Sequence, residues 1–545
     1  MSLRSQISYG ASLVKQYGIH DFTLRFVEWF DTKKRSRQYH KISGRFLPTE
    51  AELARQRDTH FPFEPLISIV VPAYETNAVF LRQLVDSVLG QSYSNLELCI
   101  ADGSKTDIVL QTLQEYTDSR INYRKLFKNA GISENTNEGF QHAHGDYIAL
   151  LDHDDLLTRN ALFEMVQALN TILPRPDMVY SDEDKLIADT GVLAYPAFKP
   201  DFNESYIRCN NYICHFLIFS RQLLDQVGGL DSRYDGAQDF EFVLRCHAAG
   251  AVIAHVPKIL YHWRIHPAST AYDPGSKLYA YENGARAIEK YLRENGEPGK
   301  ASLTKDLGYY TVDYELSGTY RVTVFAHSRA QIDAMKTAQG QDSRITVNYR
   351  LFSPSGYHDL QQEDGDFLVI AAPDAVPLTT GWLTEMLKLA QQERIGMIAV
   401  KSVNHRNRIV SCGLTYDKNG GFASFYEGLP SIFRGYCHRA DDVIQNVSAA
   451  SLSFAMLRRQ AVRDCGEPDS TLTTPYRDAD YCFSLLEKGY QILLNTNVRV
   501  RISSVKPSAA AAPDSFLQKH AGRLAKGDPV YSPNVLLKKG RFLLK

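Results

Sequence analysis

The chain repeats itself, and this repeat constrains its fold more than any single motif does. The segment GDYIALLDHDDLL, residues 145–157, is echoed by GDFLVIAAPDAVP, residues 365–377. A second pair, DFEFVLRCHAAG (239–250) and DADYCFSLLEKG (478–489), corresponds without gaps. Two echoes in the same order predict two copies of one fold. The length of 545 residues agrees, because it exceeds what one hydrophobic core usually spans.

Each copy alternates segments that suit strands with segments that suit helices. LISIVVPAY (66–74) is rich in β-branched residues, which predicts a buried parallel strand. An amphipathic helix follows, with Thr76 or Asn77 as its cap and Gly90 at its end, and LELCIADGS (96–104) then repeats the strand and loop. This pattern predicts an α/β fold with mostly parallel sheets covered by helices.

The repeats and the shifts in composition divide the chain into five predicted regions. They are a helical N-terminal appendage (1–62), a first α/β domain (63–298), a linker (299–314), a second α/β domain (315–505), and a hinge with a basic C-terminal tail (506–545). The appendage carries a basic patch, Lys33, Lys34, Arg35 and Arg37. This patch is either a solvated face or a contact with a membrane surface or a partner protein.

The bulk composition excludes several classes of protein. A net charge of −1 argues against nucleic acid as the main partner. Eight cysteines without a CxxC pair fit reduced thiols in the cytoplasm. The chain has neither the apolar core of a signal peptide at its start nor an apolar stretch of about 20 residues. We therefore expect a cytoplasmic protein that is not integral to a membrane.

Acidic residues follow several of the predicted strands, where ligands bind in open α/β sheets. Asp102 follows one strand, Asp152 and Asp154 follow another, and Asp182 with Asp184 follow a third. Clustered carboxylates repel one another and raise each other's pKa unless a cation joins them. A divalent cation such as Mg²⁺ or Mn²⁺, which also binds substrate phosphates, is one explanation. The alternative is that the DHDD stretch caps the following helix and faces solvent.

Seven ordered motifs resemble those of the family 2 glycosyltransferases. They are ISIVVPAYE, LCIADGS, NAGISENTNEGF, GDYIALLDHDDLL, VYSDEDK, GAQDFEFVLR and YHWRIHPAST. The chain resembles most the bacterial members with tandem GT-A domains, which build lipopolysaccharide O-antigens and other surface polysaccharides. The resemblance covers about residues 63–272 and continues more weakly over 365–500. It implies two tandem GT-A domains, the first of them catalytic and the second degenerate.

The resemblance implies where a nucleotide sugar and a metal would bind. Its nucleotide-sugar positions in this sequence are Pro72, Tyr74, Glu75, Asp102, Asp152 and Arg264. Glu75 stands where many members have Asn. Asp152 and Asp154 match the DxD motif, whose metal is Mn²⁺ or Mg²⁺, and His266 matches a further metal ligand. Asp182 and Asp184 either line the donor or acceptor site, or hold Lys185 and its loop.

The resemblance also implies a general base. Asp239 matches the acidic residue of the family's ED motif, although Gln238 stands in place of the Glu. Without the other motifs, Asp239 could be an ordinary acid in the first turn of a helix, Asp102 a turn residue, and His266 a loop histidine. The chemistry suits the assigned roles, because a metal and Arg264 neutralise a leaving diphosphate while one carboxylate takes the acceptor's proton.

The two copies differ at the acidic cluster. Residues 152–155, Asp-His-Asp-Asp, become Ala-Pro-Asp-Ala at 372–375, while the strand and helix pattern persists. The fold therefore does not require the acids, which favours the metal over the helix cap. We expect the second domain to have lost transfer and to serve acceptor binding, stabilisation or assembly.

The leading hypothesis is an inverting, metal-dependent glycosyltransferase. Its donor would be a UDP- or dTDP-sugar and its acceptor a glycan or a lipid-linked glycan, at the cytoplasmic face of the inner membrane, with peripheral contacts to that membrane or to other glycosyltransferases. One alternative is a carbohydrate-binding scaffold subunit whose first domain has also lost activity. Another is a nucleotidyltransferase, but PAYETN lacks the glycine-rich basic loop that such enzymes favour.

Overall fold

The computed structural model describes residues 3–267, 278–352, 360–441, 443–503, 512–538 and 541–544. Residues 506–511 of the predicted hinge lie outside the described residues. The chain begins with a long helix, α1 (Leu3–Ile42), which a left-handed Gly18 interrupts, and continues with α2 (Glu50–Arg57). Thr49 and Glu52 cap α2 reciprocally. The predicted helical N-terminus is therefore confirmed. None of the described helices is both long and apolar enough to cross a membrane.

Two residues of the basic patch contact other parts of the chain. Lys33 donates a hydrogen bond to the Tyr195 hydroxyl, and the Arg35 guanidinium lies 5.6 Å from the centre of the Tyr436 ring. Lys34 and Arg37 are exposed. Two of the four cations thus help dock α1 on the two domains.

The first domain is a sheet with helices on both faces. Its elements are β1 (Ile67–Ala73), α3 (Ala78–Leu89), β2 (Leu96–Asp102), α4 (Ile108–Leu113), β3 (Ile121–Lys125), α5 (Ile132–Gln141), β4 (Tyr147–Leu150), β5 (Leu156–Leu157), α6 (Ala161–Thr171), β6 (Met178–Ile187), β7 (Val192–Ala197), α7 (Glu204–Ile207), β8 (Leu217–Ser220), α8 (Arg221–Val227), α9 (Gln238–Ala248), β9 (Ile253–Ile265) and α10 (Leu278–Glu294).

This sheet is mixed, because β5, β7 and β8 each run antiparallel to the strands they pair with. The strand order is β3-β2-β1-β4-β8-β6-β9-β5, with β7 paired to β6. Strands β1 to β4 are parallel and β6 is parallel to β9, but β8 is antiparallel to both β4 and β6. The amino end of β8 therefore lies at the same edge as the carboxyl ends of its neighbours.

The second domain repeats this order over seven strands. Its elements are β12 (Tyr320–Ala326), α11 (Arg329–Gln339), β13 (Ile345–Leu351), β14 (Phe367–Ala371), β15 (Val376–Pro377), α12 (Trp382–Ala390), β16 (Ile395–Val403), β17 (Ile409–Ser411), β18 (Leu414–Tyr416), β19 (Phe422–Ser424), β20 (Ile444–Asn446), β21 (Phe454–Arg458), α13 (Arg459–Cys465), α14 (Tyr476–Glu487) and β22 (Gln491–Arg501). The strand order is β13-β12-β14-β21-β16-β22-β15. Strand β14 is parallel to β12, and β21 is antiparallel to both β14 and β16, as β8 is to its neighbours in the first domain. The predicted tandem α/β architecture is confirmed.

The remaining segments pack against the two domains. The predicted linker forms a hairpin of β10 (Gly299–Leu303) and β11 (Tyr310–Tyr314). The predicted tail contains α15 (Asp514–Lys526), β23 (Val535–Lys538) and β24 (Arg541–Leu544). Phe516 and Leu524 of α15 belong to the hydrophobic core of the second domain. Much of the predicted tail is therefore part of the folded body.

A buried ion cluster joins the two domains. The Arg208 guanidinium is almost fully buried and lies 2.8 Å from Glu204 and 2.6 Å from Glu297. Arg394 of the second domain lies 2.8 Å from Glu204 and 2.6 Å from Glu297. Asn446 adds hydrogen bonds between its backbone and Asn203. These contacts fix one domain against the other.

Replacing Glu297 by Ala should weaken this cluster. The change leaves the guanidinium groups of Arg208 and Arg394 with one carboxylate between them. Because Arg208 is buried, we expect the free energy of unfolding to fall by about 3 kcal/mol. Urea unfolding followed by circular dichroism measures the change. The exposed Glu294 is the control, and an equal loss in Glu294→Ala and Glu297→Ala would contradict the role of the cluster.

Candidate active site

His215 lies at the centre of the acidic site. Its Nε2 atom is 3.7 Å from Asp152 Oδ2, and its Nδ1 atom is 3.4 Å from Glu183 Oε2. Its ring stacks on Tyr261 with centroids 4.7 Å apart. Cys214, Asp152 and Glu183 raise the pKa of His215 against the opposing effect of burial. Ligand atoms of Asp152, Asp155 and His215 all lie within 4.8 Å of one another.

The sheet register explains why Asp152 meets His215. Leu150 at the end of β4 pairs with Leu217 at the start of β8. Asp152 and His215 each lie two residues beyond this pair, on the same edge. The second domain has the same register, with Ile370 opposite Ala455, and carries Ala372 and Ser453 at the corresponding places.

Asp154 belongs to a neighbouring part of the site. Its Oδ2 atom is 2.8 Å from His266 Nε2, and its backbone carbonyl accepts a hydrogen bond from Arg264 Nε. The Arg264 guanidinium lies 4.3 Å from the centre of the Phe80 ring. Its Nη2 atom is buried and has no hydrogen-bond partner in the described parts of the chain. A buried donor without a partner points to an acceptor that a ligand supplies.

Asp155 has a structural role. It is 1% exposed and accepts hydrogen bonds from the Tyr261 hydroxyl at 2.5 Å and from the Arg264 backbone N–H at 2.6 Å. Burial raises its pKa, and the charges of Asp154 and Asp152 raise it further. Asp155 therefore ties the DHDD loop to β9 and orients Arg264.

Asp239 lies in the first turn of α9, at the amino end where helices favour anions. Asn211 Nδ2 donates a hydrogen bond to Asp239 Oδ2 at 3.0 Å. Burial raises the pKa of Asp239, which the positive charge of His215 partly opposes. Glu241, two residues further along the same turn, is held by ion pairs of 2.7 Å with Arg245 and Lys290. Asp239 has no such cation within ion-pair distance among the described residues.

Glu75 organises the loop that follows β2. Its backbone has a left-handed φ of 47°, and its N–H donates to Ser104 Oγ at 2.7 Å. Its carboxylate accepts from the Lys105 N–H at 2.7 Å and from Thr106 Oγ1 at 2.6 Å. The hydrogen bond from Thr106 contributes most to lowering the pKa of Glu75. Pro72 lies within β1, three residues before Glu75.

Asp102 is fully buried at the end of β2. Its carboxylate accepts from the Ser104 N–H at 2.8 Å, the Tyr123 hydroxyl at 2.9 Å and Lys125 Nζ at 3.1 Å. Tyr74 is 39% exposed and directly follows Ala73, the β1 residue that pairs with Asp102. The predicted contacts of Tyr74, Glu75 and Asp102 with a nucleotide remain predictions.

Asp182 and Asp184 bind other parts of the chain. Asp182 accepts from the Lys199 N–H at 2.8 Å, is 3.0 Å from His255 Nε2, and accepts from Asn534 Nδ2 at 3.3 Å. Asp184 accepts from the hydroxyl of Tyr39 in α1 at 2.6 Å. Because successive residues of a strand point to opposite faces, Glu183 rather than Asp182 reaches His215. A contact of Asp182 with the donor remains a prediction.

Sequence reasoning did not select His215, Asn211 or Glu183. His215 precedes a strand whose antiparallel direction no local pattern indicates. The repeat contains a signal, since extending the match of the two copies upstream of SRQLLDQVGGLD aligns His215 with Ser453. Glu183 lies within the SDEDK stretch, where the sequence alone does not show which acids face the site.

The ligand types fit a divalent cation. Asp152, Asp154 and His266 offer carboxylate oxygens and an imidazole nitrogen, which Mn²⁺ and Mg²⁺ accept. Asp154 and His266 are already in contact, and Asp152 lies in the same loop. Asp155 is not available as a ligand, because its oxygens bind Tyr261 and Arg264.

Comparison with known proteins assigns the first domain to a family. A family model described as glycosyl transferase family 2 matches residues 68–228. The uncharacterized protein y4gI of Sinorhizobium fredii is 28% identical over 535 residues, which cover 88% of this chain and 58% of that protein. The O-antigen biosynthesis protein RfbC of Myxococcus xanthus is 26% identical, over 90% of this chain and 42% of that protein.

The chain thus spans about half the length of these two relatives. A solved structure of S. aureus TarS residues 1–349 is 19% identical, with a TM-score of 0.33, over 42% of this chain and 65% of that chain. Residues 68–228 of the first domain therefore match glycosyltransferase family 2.

Proposed function

We propose that the chain is an inverting, metal-dependent glycosyltransferase that moves a sugar from a nucleotide-diphosphate sugar to a hydroxyl of a glycan or lipid-linked acceptor. The observation that carries this proposal is Asp239, a carboxylate with a raised pKa and no paired cation among the described residues, in a family 2 domain. Its side chain contacts Asn211, and its pKa responds to the charges of His215 and Asp152.

Asp239 acts as the general base. It accepts the proton of the acceptor hydroxyl as that oxygen attacks the anomeric carbon of the donor sugar. The bond from this carbon to the diphosphate breaks, and the diphosphate leaves with the bonding electrons. A single base on one side of the sugar implies one displacement and inversion of configuration.

The loop and β9 bind the leaving diphosphate. Asp154, His266 and Asp152 would hold Mn²⁺ or Mg²⁺, which neutralises phosphate charge when bound. Arg264 Nη2, a buried donor without a described partner, donates to a phosphate oxygen. Asp155 holds the Arg264 backbone in place, so the guanidinium is oriented before the donor binds.

The donor and acceptor classes follow from the resemblance and the relatives. The nucleotide is UDP or dTDP. It binds at Pro72, Tyr74, Glu75 and Asp102, and Asp182 is a further contact with the donor. One relative is named for O-antigen biosynthesis, which supports a surface polysaccharide as the product. We place the protein in the cytoplasm, peripherally at the inner membrane, with Lys34 and Arg37 as exposed cations.

The second domain does not catalyse transfer in this proposal. It has Ala372 and Ser453 where the first has Asp152 and His215. Asp478, the counterpart of Asp239, is fully buried, accepts a hydrogen bond from the Leu452 N–H and is 3.1 Å from Arg477. Its carboxylate is thus occupied within the domain.

A screen of donors tests the proposal. The purified chain is incubated with UDP-, dTDP- and GDP-sugars, with Mn²⁺ or with a chelator, and released nucleotide is measured. We expect metal-dependent release from one class of nucleotide sugar and none with the chelator. If no donor is bound or cleaved in Mn²⁺, the chain is a carbohydrate-binding scaffold and not a transferase.

A further inference from the structure

A cavity of about 240 Å³ lies where the two domains, the linker hairpin and the C-terminal segment meet. Aromatic rings from each of these parts line it: Trp263 from the first domain, Tyr309 from the linker, Tyr436 from the second domain and Tyr531 from the C-terminal segment. Such flat apolar walls suit the C–H faces of a sugar ring. The cavity is therefore formed only in the assembled two-domain chain.

Asn211 connects this cavity to the proposed general base. It lines the cavity, and its Nδ2 atom donates to Asp239 Oδ2 at 3.0 Å. Its Oδ1 atom is buried and has no hydrogen-bond partner in the described ranges. A hydroxyl of a ligand in the cavity could donate to this oxygen. The cavity thus begins one side chain away from Asp239.

Two cations line the cavity without a carboxylate partner. Lys185 Nζ lies 4.3 Å from the centre of the Trp263 ring. Arg439 is 3% exposed and donates to Gln445 Oε1 at 2.6 Å and to the Val530 carbonyl at 2.5 Å, but its Nη2 atom has no partner. Within the described residues, no carboxylate oxygen lies within 4 Å of either cation.

A third cation in the same wall shows the contrast. Lys199 Nζ lies 3.0 Å from Glu183 Oε2, so its charge is compensated. Burying a charge without such a partner is costly. Burial lowers the pKa of Lys185, as expected for a cation that lacks a paired anion. A negatively charged ligand would compensate Lys185 and Arg439 together.

We propose that this cavity binds an anionic sugar unit of the acceptor glycan, whose carboxylate or phosphate group is held by Arg439 and Lys185. The inference rests on the proposed transferase function, because only a transferase has an acceptor. The aromatic walls contact the sugar ring, and Asn211 orients a hydroxyl towards Asp239. The second domain, which lacks most of the acidic cluster, then selects the acceptor through Arg439.

Direct binding of small probes tests the inference. The full chain, without donor, is titrated with methyl β-D-glucuronide, glucose 1-phosphate and the neutral methyl β-D-glucoside, and binding is measured by saturation-transfer NMR. We expect at least one anionic probe to bind about tenfold or more tightly than the neutral one, since charge-assisted hydrogen bonds are the strong ones. The tighter anionic probe shows whether a carboxylate or a phosphate is preferred.

Variants assign the binding to the two cations. Lys185→Gln and Arg439→Gln should each weaken the binding of the anionic probe by about tenfold or more. The binding of the neutral probe should change much less. Arg406→Gln, the same change of charge on an exposed loop of the second domain, is the control and should change neither. Arg439 is buried, so its variant is checked by thermal unfolding. Lys185→Gln, at a half-buried position, carries the test if Arg439→Gln does not fold.

The inference is overturned if the anionic and neutral probes bind equally, if no probe binds, or if folded variants bind the anionic probe like the unmodified chain. Donor binding in Mn²⁺, measured on the unmodified chain, separates this from failure of the proposed function. Donor cleavage without probe binding refutes the cavity alone. Probe binding without any donor binding refutes the transferase and leaves an anionic-sugar site.

Discussion

Replacing Asp239 by Asn should abolish sugar transfer, with kcat/KM falling by about 10²–10⁴-fold, the usual contribution of a positioned general base. The amide keeps the size of the side chain but cannot accept the acceptor's proton. Donor affinity should stay nearly unchanged, because the proposed metal and diphosphate site lies at Asp154, His266 and Arg264. Initial rates of transfer and calorimetric titration of the donor measure the two quantities.

The pH dependence of the unmodified enzyme should report the same group. Burial raises the pKa of Asp239 above the ordinary value of about 3.9 for Asp. Only the ionised form accepts a proton, so kcat/KM should be constant above this raised pKa and fall tenfold per pH unit below it. The acid limb should therefore lie at a higher pH than for an ordinary Asp, and it should be absent from any residual rate of Asp239→Asn.

The repeat supplies a matched control. Asp478 of the second domain corresponds to Asp239 and is equally an acid in the first turn of a helix. Asp478→Asn should leave the transfer rate unchanged. Full turnover by Asp239→Asn would refute the base, and an equal loss in both variants would show that the first-turn acid serves the fold in both domains.

The α/β class and the tandem architecture could be predicted because hydrophobic periodicity and the internal repeat are properties of the sequence itself. The direction of β8 could not. Its residues, Leu217–Ser220, form a short apolar run that suits a strand of either direction. Its direction is seen only in its antiparallel pairing with β4 and β6, and this pairing brings His215 beside Asp152. A site residue on an antiparallel strand is missed when every strand is taken as parallel.

The roles of the acids in the SDEDK stretch depend on contacts that are distant in sequence. Asp184 binds Tyr39 of the N-terminal helix, and Asp182 binds Asn534 near the C-terminus. No local pattern indicates which face of β6 these distant segments cover. The sequence left open whether these acids line the site or hold Lys185 and its loop. The contacts seen join Asp182 to Lys199, His255 and Asn534, and Asp184 to Tyr39 and His262.

The DHDD loop shows what the second copy adds. Asp155 corresponds to Ala375, and both are buried, so this position faces the interior in each domain. In the first domain the Tyr261 hydroxyl and the Arg264 N–H compensate the carboxyl group there. Asp154 corresponds to Asp374, which is exposed. The three acids therefore do not form one cluster of equivalent ligands, and Asp154 is the one that extends towards His266.

Replacing Asp154 by Ala should remove most of the metal-dependent affinity for the donor. The change deletes one of three predicted ligands and leaves His266 without its carboxylate partner at 2.8 Å. We expect the donor to bind about 10-fold to 100-fold more weakly in Mn²⁺, the range seen when groups that support a metal are removed. With a chelator present, the unmodified protein should fall to the same weak affinity. Calorimetric titration of the donor, with and without Mn²⁺, measures all four values.

The corresponding change in the second domain separates a metal ligand from a loop residue. Asp374 accepts a hydrogen bond from the Ser503 N–H at 2.6 Å, so Asp374→Ala disturbs the equivalent loop without touching the proposed metal site. Its donor affinity should match that of the unmodified protein and keep its dependence on Mn²⁺. If the unmodified protein and Asp154→Ala bind the donor equally well with and without metal, Asp154 is not a ligand. The diphosphate charge would then be neutralised by protein cations, with Arg264 as the first candidate.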